Sequence, residues 1–141
     1  MKVVVITGGK SGIGNATVDI FIKNNYQVVV LDKEGIERRH PKLYYYYCDI
    51  SDEYMVERVF KLIYNKFLQI DVLVNCAGIQ ILEKWQTINL DSWNKVIKNN
   101  LYGTFYCLYQ ATKYLKSGGV VVNVTSIHAK SPILYNERLL L

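Results

Sequence analysis

The chain has 141 residues, half of them hydrophobic, and a net charge of +5, which suits one domain around one core. Its Lys and Arg residues are scattered, with only Arg38-Arg39-His40 clustered, so a nucleic-acid stripe is not expected, and no apolar stretch approaches the length of a membrane span. Cys48, Cys76 and Cys107 are odd in number and widely spaced, which argues against a disulfide framework or a zinc site.

The N-terminus is a short apolar run that meets Thr7-Gly8-Gly9 at once. It lacks the length and cleavage site of a signal peptide, so the cytoplasm is the expected location. Residues 3–6 are a continuous β-branched run, as a strand buried on both faces would be. A helical spacing follows over 13–24, with Ile13, Ala16, Thr17, Ile20 and Phe21 on one side. Residues 26–31 predict a second buried strand. The polar stretch 32–42, with Gly35 and Pro41, predicts a loop, and 43–47 an aromatic third strand. Ser51 is expected to open a helix, with Asp52 and Glu53 in its first turn and Met55, Val56, Val59, Phe60, Ile63 and Phe67 on its apolar face. Residues 71–74 predict the fourth strand. A long helix over 91–114 is expected to end at Gly118-Gly119, and 120–124 is the fifth strand. Within the long helix, Trp93, Ile97, Leu101, Phe105, Leu108, Thr112 and Leu115 form the stripe expected to face the sheet. Tyr102, Tyr106, Tyr109 and Lys113 form a second stripe, readable as solvated or as an interface.

This alternation implies parallel strands with right-handed crossovers. The expected fold is a single α/β domain over 1–141. Its core is a doubly wound, Rossmann-like parallel sheet of about five strands in the order 3-2-1-4-5.

Three features carry chemistry. First, Gly8 follows a strand while Gly12 and Gly14 open a helix. Gly8 permits a tight turn, Gly12 lets backbone approach a pyrophosphate, and Gly14 lets the helix pack against the strand. The helix N-terminus then offers N–H groups and a positive dipole end to phosphates. The spacing G-x-x-x-G-x-G differs from G-x-G-x-x-G, and it is not a Walker loop. Second, Asp32 ends the second strand, 18 residues after Gly14, where a carboxylate can accept from both hydroxyls of an adenosine ribose. It would repel a 2′-phosphate, which favours NAD over NADP, although Lys33 and Arg38-Arg39 could soften that preference. Third, Asn75-Cys76-Ala77-Gly78 follows the fourth strand, and small residues there allow a ligand to lie against the backbone.

Together these residues resemble the short-chain dehydrogenase/reductase family. Thr7-Gly8, Lys10-Ser11-Gly12 and Ile13-Gly14 are similar to its cofactor motif, and Asn75-Cys76-Ala77-Gly78 to its Asn-Asn-Ala-Gly, with Cys76 replacing the second Asn. Cys48-Asp49-Ile50 resembles the family's Asp after the third strand, which contacts adenine. Asn100-Leu101-Tyr102-Gly103 resembles its Asn-x-x-Gly, and Val122-Asn123-Val124-Thr125-Ser126 the strand that delivers a catalytic Ser. The resemblance implies that a nicotinamide dinucleotide is held by Gly8, Lys10, Ser11, Gly12, Ile13, Gly14, Asp32, Asp49, Ile50, Asn75, Ala77 and Gly78. It also implies that Ser126 hydrogen-bonds a small alcohol or carbonyl substrate and that Asn100 holds a water in a proton relay. No metal is implied. Residues 80–87, with Trp85, are expected to form part of a substrate-pocket floor.

The family's acid–base pair, Tyr-x-x-x-Lys, is missing after Ser126. Its Tyr would fall at Leu139, and the nearest tyrosine, Tyr135, has Leu139 rather than Lys four residues on and Arg138 at three. His128 and Tyr135 are minor candidates for the acid. The resemblance thus implies a truncated member that binds NAD(H), with catalysis weak or absent. The alternatives are a non-catalytic dinucleotide-binding or partner-completing module, or a degenerate truncated product. The family continues with a further helix and two strands, and its dimers pack the long helix in a four-helix interface. The fifth strand is therefore expected to be an exposed edge, with 132 and 139–141 as a partial cover, and the chain to form a homo-oligomer.

Overall fold

The β-branched run near the N-terminus forms β1 (Val3–Thr7), and all five of its residues are buried. It lies at the centre of a parallel sheet, between β2 (Gln27–Asp32) and β4 (Ile70–Asn75). The edges are β3 (Leu43–Tyr47) and β5 (Leu115–Asn123), which gives the order β3-β2-β1-β4-β5. This is the doubly wound α/β sheet that the strand–helix alternation predicts. The computed structural model describes residues 1–35 and 37–126. His128, Tyr135, Arg138 and the tail positions 132 and 139–141 lie outside the described residues.

A parallel strand covered on both faces has no polar side to show, and β1 divides its side chains between two cores. Val3 and Val5, with Val29 and Leu31 of β2, face one of them. Val4 and Ile6, with Val28 and Val30, face the other. α1 (Gly12–Lys23) closes the second core through Val18. α2 (Glu53–Phe67) closes the first with Val56, Val59, Phe60 and Ile63, and α4 (Thr104–Tyr114) adds Cys107 and Ala111. The cap of α2 falls one residue later than expected. Ser51 turns its N–H and hydroxyl back to Asp49 Oδ1, at 2.9 and 2.7 Å, and Asp52 becomes the cap, accepting from the Met55 N–H at 3.0 Å.

The long helix departs from the sequence reading in two ways. It is α3 (Leu90–Ile97), a π-helical turn (Lys98–Gly103) and then α4, and it presents a different face to the sheet. Leu101 and Phe105, expected to face inward, are 59% and 55% exposed. The buried positions are Val96, Asn99, Gly103, Cys107, Gln110 and Ala111. The reason is distance: a Cβ on Gly103 would stand 2.7 Å from Ile50 Cγ1, so on this face the helix lies too close to the loop after β3 for a large side chain between them. Phe105 instead stacks on Tyr109 at the surface, with ring centroids 6.1 Å apart.

The end of the helix also differs. α4 stops at Tyr114 and β5 starts at Leu115, ahead of the glycines expected to end the helix. The pairing of β5 with β4 is irregular between Ile70 and Val72, and Gly118 (φ +78°) takes the bend. β5 is an edge, and against the described residues Val120 and Val122 stay exposed.

Asp71, at the start of β4 and only 4% exposed, joins three strands at the end of the sheet opposite the glycine turn. Its carboxylate accepts from the Val3 N–H at 2.7 Å and from Gln69 Nε2 at 3.0 Å, and it pairs with Lys116. Burial alone would raise its pKa, but Lys116 and the Val3 N–H outweigh it and the folded value lies below the ordinary 3.8. A depressed carboxyl contributes stability that is fully present above its unfolded pKa and is lost as pH falls through its folded one. We predict that Asp71→Asn lowers the unfolding free energy at neutral pH by roughly 1.5–3 kcal/mol in urea melts. Part of the acid destabilisation that the wild type shows below about pH 4 should vanish in the variant.

Candidate functional site

Because the strands are parallel, the loops that follow them gather at one end of the sheet. There they line a cleft of about 370 Å³. The turn after β1 contributes Gly8, Ser11, Gly12, Ile13 and Gly14, and the end of β2 contributes Asp32. Ile50 comes from the loop after β3, and Ala77 and Gly78 from the turn after β4. Of the expected site residues, Lys10, Asp49, Asn75, Asn100 and Ser126 do not line it.

The turns after β1 and β4 are locked backbone to backbone. Gly8 has φ +67° and donates its N–H to the Leu31 carbonyl at 2.8 Å. A Cβ there would sit 2.8 Å from Ala77 Cα. A Cβ on Gly14 would sit 2.1 Å from the Gly8 carbonyl oxygen. Thr7 is fully buried, and its hydroxyl oxygen accepts from the N–H groups of Cys76 and Ala77 at 3.2 and 3.1 Å. The sequence reading gave Thr7 no role of its own. Its signal was a hydroxyl at the end of an otherwise aliphatic buried strand, where a side-chain acceptor needs donors.

Gly12 is different. At φ +52°, a Cβ there would meet no heavy atom within 4 Å, so the cleft lies open above its backbone. Ser11 stands at the N-cap of α1, but its side chain makes no capping bond, and the first turn holds no acidic residue. The first N–H groups of α1 and the positive end of its dipole are thus left to solvent or to a ligand.

Asp32 Oδ2 accepts from the Lys10 N–H at 3.1 Å, and Oδ1 accepts from the Glu34 N–H at 3.0 Å. A carboxylate has about four lone-pair sites, so acceptor capacity remains toward the cleft. Three of the nearby cations are occupied: the Lys10 ammonium pairs with Glu34, Lys33 stands 3.7 Å from Asp49, and Arg38 pairs with Asp19 on α1. Asp49 Oδ1 accepts from the N–H and the hydroxyl of Ser51, and Oδ2 stands 3.7 Å from the Lys33 ammonium. Burial alone would raise its pKa, but the bonds from Ser51 and the Lys33 charge outweigh it and hold it below the ordinary value.

Asn75 donates from Nδ2 to Asn123 Oδ1 at 2.9 Å across the ends of β4 and β5. Asn100, in the π-helical turn, clasps the backbone of Ile79. Its Oδ1 accepts from the Ile79 N–H and its Nδ2 donates to the Ile79 carbonyl, both at 2.8 Å. The Asn100 carbonyl accepts from Thr104 Oγ1 at 2.8 Å. Ser126 stands exposed, three residues beyond β5. Its neighbour Val124 reaches the cleft wall and donates its N–H to the Asn75 carbonyl at 3.0 Å. Among the described side chains of residues 80–87, none lines the cleft.

Cys48, Cys76 and Asn99 also line the cleft, and the sequence reading gave none of them a ligand role. Burial pushes the Cys48 thiol up to about 12 and raises that of Cys76, so both stay protonated and are poor nucleophiles. A Tyr-x-x-x-Lys spacing does occur, at Tyr109 and Lys113. It lies on α4, with the ammonium 4.5 Å from the ring centroid. Tyr109 is half exposed, about 13 Å along the helix axis from Asn100, and neither residue lines the cleft. The wall as a whole combines open backbone N–H groups, a helix N-terminus, a carboxylate at the rim and an apolar slot between Ile50, Ala77 and Ile79. That set suits an elongated anionic ligand carrying a diol and a flat ring.

Comparison with known proteins gives one consistent match. The profile of the family described as short chain dehydrogenase matches residues 2–136. An uncharacterized oxidoreductase of Thermotoga maritima is 34% identical over 139 residues, covering 91% of this chain and 54% of that protein. A short chain dehydrogenase from Leptospira borgpetersenii with bound NAD+ superposes with a TM-score of 0.88 at 27% identity, covering 96% of this chain and 57% of that one. ElxO with NADP bound superposes with a TM-score of 0.86 at 32% identity, covering 94% and 58%. The chain thus spans about half the length of the curated relatives it matches.

The two helix-opening glycines should respond differently to a methyl group. Gly14→Ala drives a Cβ into the Gly8 carbonyl and should cost about 1–3 kcal/mol of stability. Gly12→Ala meets open space and carries only the left-handed backbone penalty, about 1–2 kcal/mol. Thermal melts of both variants should place Gly14→Ala lower.

Proposed function

The chain belongs to the short-chain dehydrogenase family, and from that premise we propose that its cleft binds NAD(H), with NADP(H) disfavoured, as the cofactor half of an oxidoreductase site. The observation that carries this reading is the unobstructed backbone at Gly12, beside the uncapped N-terminus of α1. Open N–H groups at a helix start are the natural seat of a pyrophosphate. Asp32 then accepts from the hydroxyls of the adenosine ribose, and its charge opposes a 2′-phosphate. The ion pairs of Lys10, Lys33 and Arg38 with neighbouring carboxylates support that preference, because they leave less positive charge to attract such a phosphate. The bound nicotinamide would supply the hydride, given to or taken from a small carbonyl or alcohol.

Turnover in this chain is weak or absent on this reading. Ser126 would hydrogen-bond the substrate oxygen and Asn100 would support a proton relay, but among the described residues no tyrosine lines the cleft. The Tyr109 and Lys113 pair is too far along the helix to serve. General acid–base catalysis is typically worth a factor of about 10²–10⁴. A homo-oligomer belongs to the same proposal, since Leu101, Tyr102, Phe105 and Tyr109 leave an exposed apolar stripe on the long helix.

Fluorescence titration should show NADH binding at least about tenfold more tightly than NADPH, equivalent to about 1.4 kcal/mol. Asp32→Ala should narrow that gap. Gly12→Val should weaken NADH binding by about tenfold or more; unchanged affinity would refute the placement. Turnover assays on alcohols, sugars and ketones should give little or no product. Sedimentation should show self-association, and a stable compact monomer would contradict that part of the reading.

A further inference from the structure

The parallel topology gathers lysines that are scattered along the sequence at the end of the sheet opposite the cleft. Lys2, Lys42 and Lys116 stand at the starts of β1, β3 and β5, and Lys23, Lys66 and Lys113 in the last turns of α1, α2 and α4. Lys2 and Lys42 flank the start of β2, their carbonyls accepting from the N–H groups of Gln27 and Val28, each at 2.8 Å. A lysine in the last turn of a helix answers the helix dipole. Lys2 and Lys42, at strand starts, have no dipole to answer. The charge at this end is also left standing. At the cleft, Lys10, Lys33 and Arg38 each meet a carboxylate; of these six lysines only Lys116 does, at Asp71, among the described residues. Lys2 and Lys66 lie instead over the rings of Tyr26 and Tyr44, 5.9 and 4.9 Å from the centroids, contacts that keep the positive charge.

A second, independent feature sits among them. Leu68 ends α2 at φ +59° and is 72% exposed. That left-handed position favours Gly or Asn, and water is a poor environment for a leucine side chain. Neither backbone nor burial accounts for a leucine there. Met1, 65% exposed, is held beside the same turn by Gln69, whose Nε2 donates to the Met1 carbonyl at 3.1 Å. Two protruding aliphatic side chains thus stand within a field of unneutralised lysines.

We propose that this end of the sheet docks on an anionic lipid surface. Leu68 and Met1 enter the interface, while the lysines lay their stems along it and meet the headgroup charges. A single-stranded nucleic acid would want exposed aromatic platforms, whereas the protruding groups here are aliphatic. The attachment is peripheral. It leaves the cleft, at the other end of the sheet, open to solvent, and it does not rest on the cofactor reading.

The test is co-sedimentation of the whole chain with vesicles. The chain should bind phosphatidylcholine vesicles that contain about 30% phosphatidylserine, and not phosphatidylcholine alone. Salt at about 0.5 M should release it. One lysine near such a surface strengthens binding roughly fivefold, so Lys2→Glu and Lys66→Glu, which each reverse a charge, should each weaken it about tenfold or more. Lys95→Glu, the same change on α3, should have little effect. Leu68→Gly suits the left-handed backbone better than the wild-type residue, so this variant should fold at least as well and still bind vesicles more weakly. Circular dichroism checks the fold of each variant. Absence of binding to the anionic vesicles at low salt would overturn the proposal, as would equal binding to the neutral ones or an equal loss in Lys95→Glu. Binding that a single-stranded RNA competes away and that Leu68→Gly leaves undiminished would assign the face to nucleic acid and overturn it too.

Discussion

Everything at the cleft depends on two turns of backbone that touch without side chains between them. Gly8 lies against Ala77, and Gly14 lies against the carbonyl of Gly8. A Cβ at either glycine would force β1, β4 and α1 apart. The buried hydroxyl of Thr7 closes the seam from below by taking the N–H groups of Cys76 and Ala77. With the seam closed, α1 follows the end of β1 closely, and its first residues line the cleft without a side-chain cap. Gly12 is the one glycine of this turn where the space is left empty.

The charges around the cleft follow a second constraint, local neutralisation. The chain carries +5 overall, yet Lys10, Lys33 and Arg38 each meet a carboxylate near the rim. Exposed pairs of this kind contribute little stability. Their effect here is on the ligand: they reduce the attraction for an extra phosphate while Asp32 keeps acceptor capacity for hydroxyls. At the far end of the sheet, Asp71 ties β1, β4 and β5 together, so one carboxylate serves architecture while another is left for recognition.

The strands and the cleft were legible in the sequence because their signals are local. The run 3–6 is aliphatic on both faces, and glycines at a strand-to-helix junction admit few explanations. The long helix was misread because size was taken for burial. Leu101 and Phe105 are large and point outward, while Gly103, Cys107 and Ala111 are small and point inward, where the helix lies close to Ile50. Gly103 in mid-helix was the available clue, since a conformationally costly residue there needs a packing reason. The early start of β5 was hidden for another cause. It depends on Lys116 reaching Asp71, a partner 45 positions away that no window of sequence contains. Asn99 was passed over because a polar residue beside Asn100 reads as helix surface; only the fold shows that its acceptor is buried and unpaired.

The account's central claim is that a dinucleotide lies across the start of α1, and amide shifts measure that most directly. In a ¹⁵N-labelled sample titrated with NADH, the N–H signals of Ser11, Gly12, Ile13 and Gly14 should move first and furthest, together with those of Asp32, Ala77 and Gly78. Those of β3 and of the exposed face of α4 should stay in place. Saturable shifts confined to some other surface, or no shifts at all, would contradict the account.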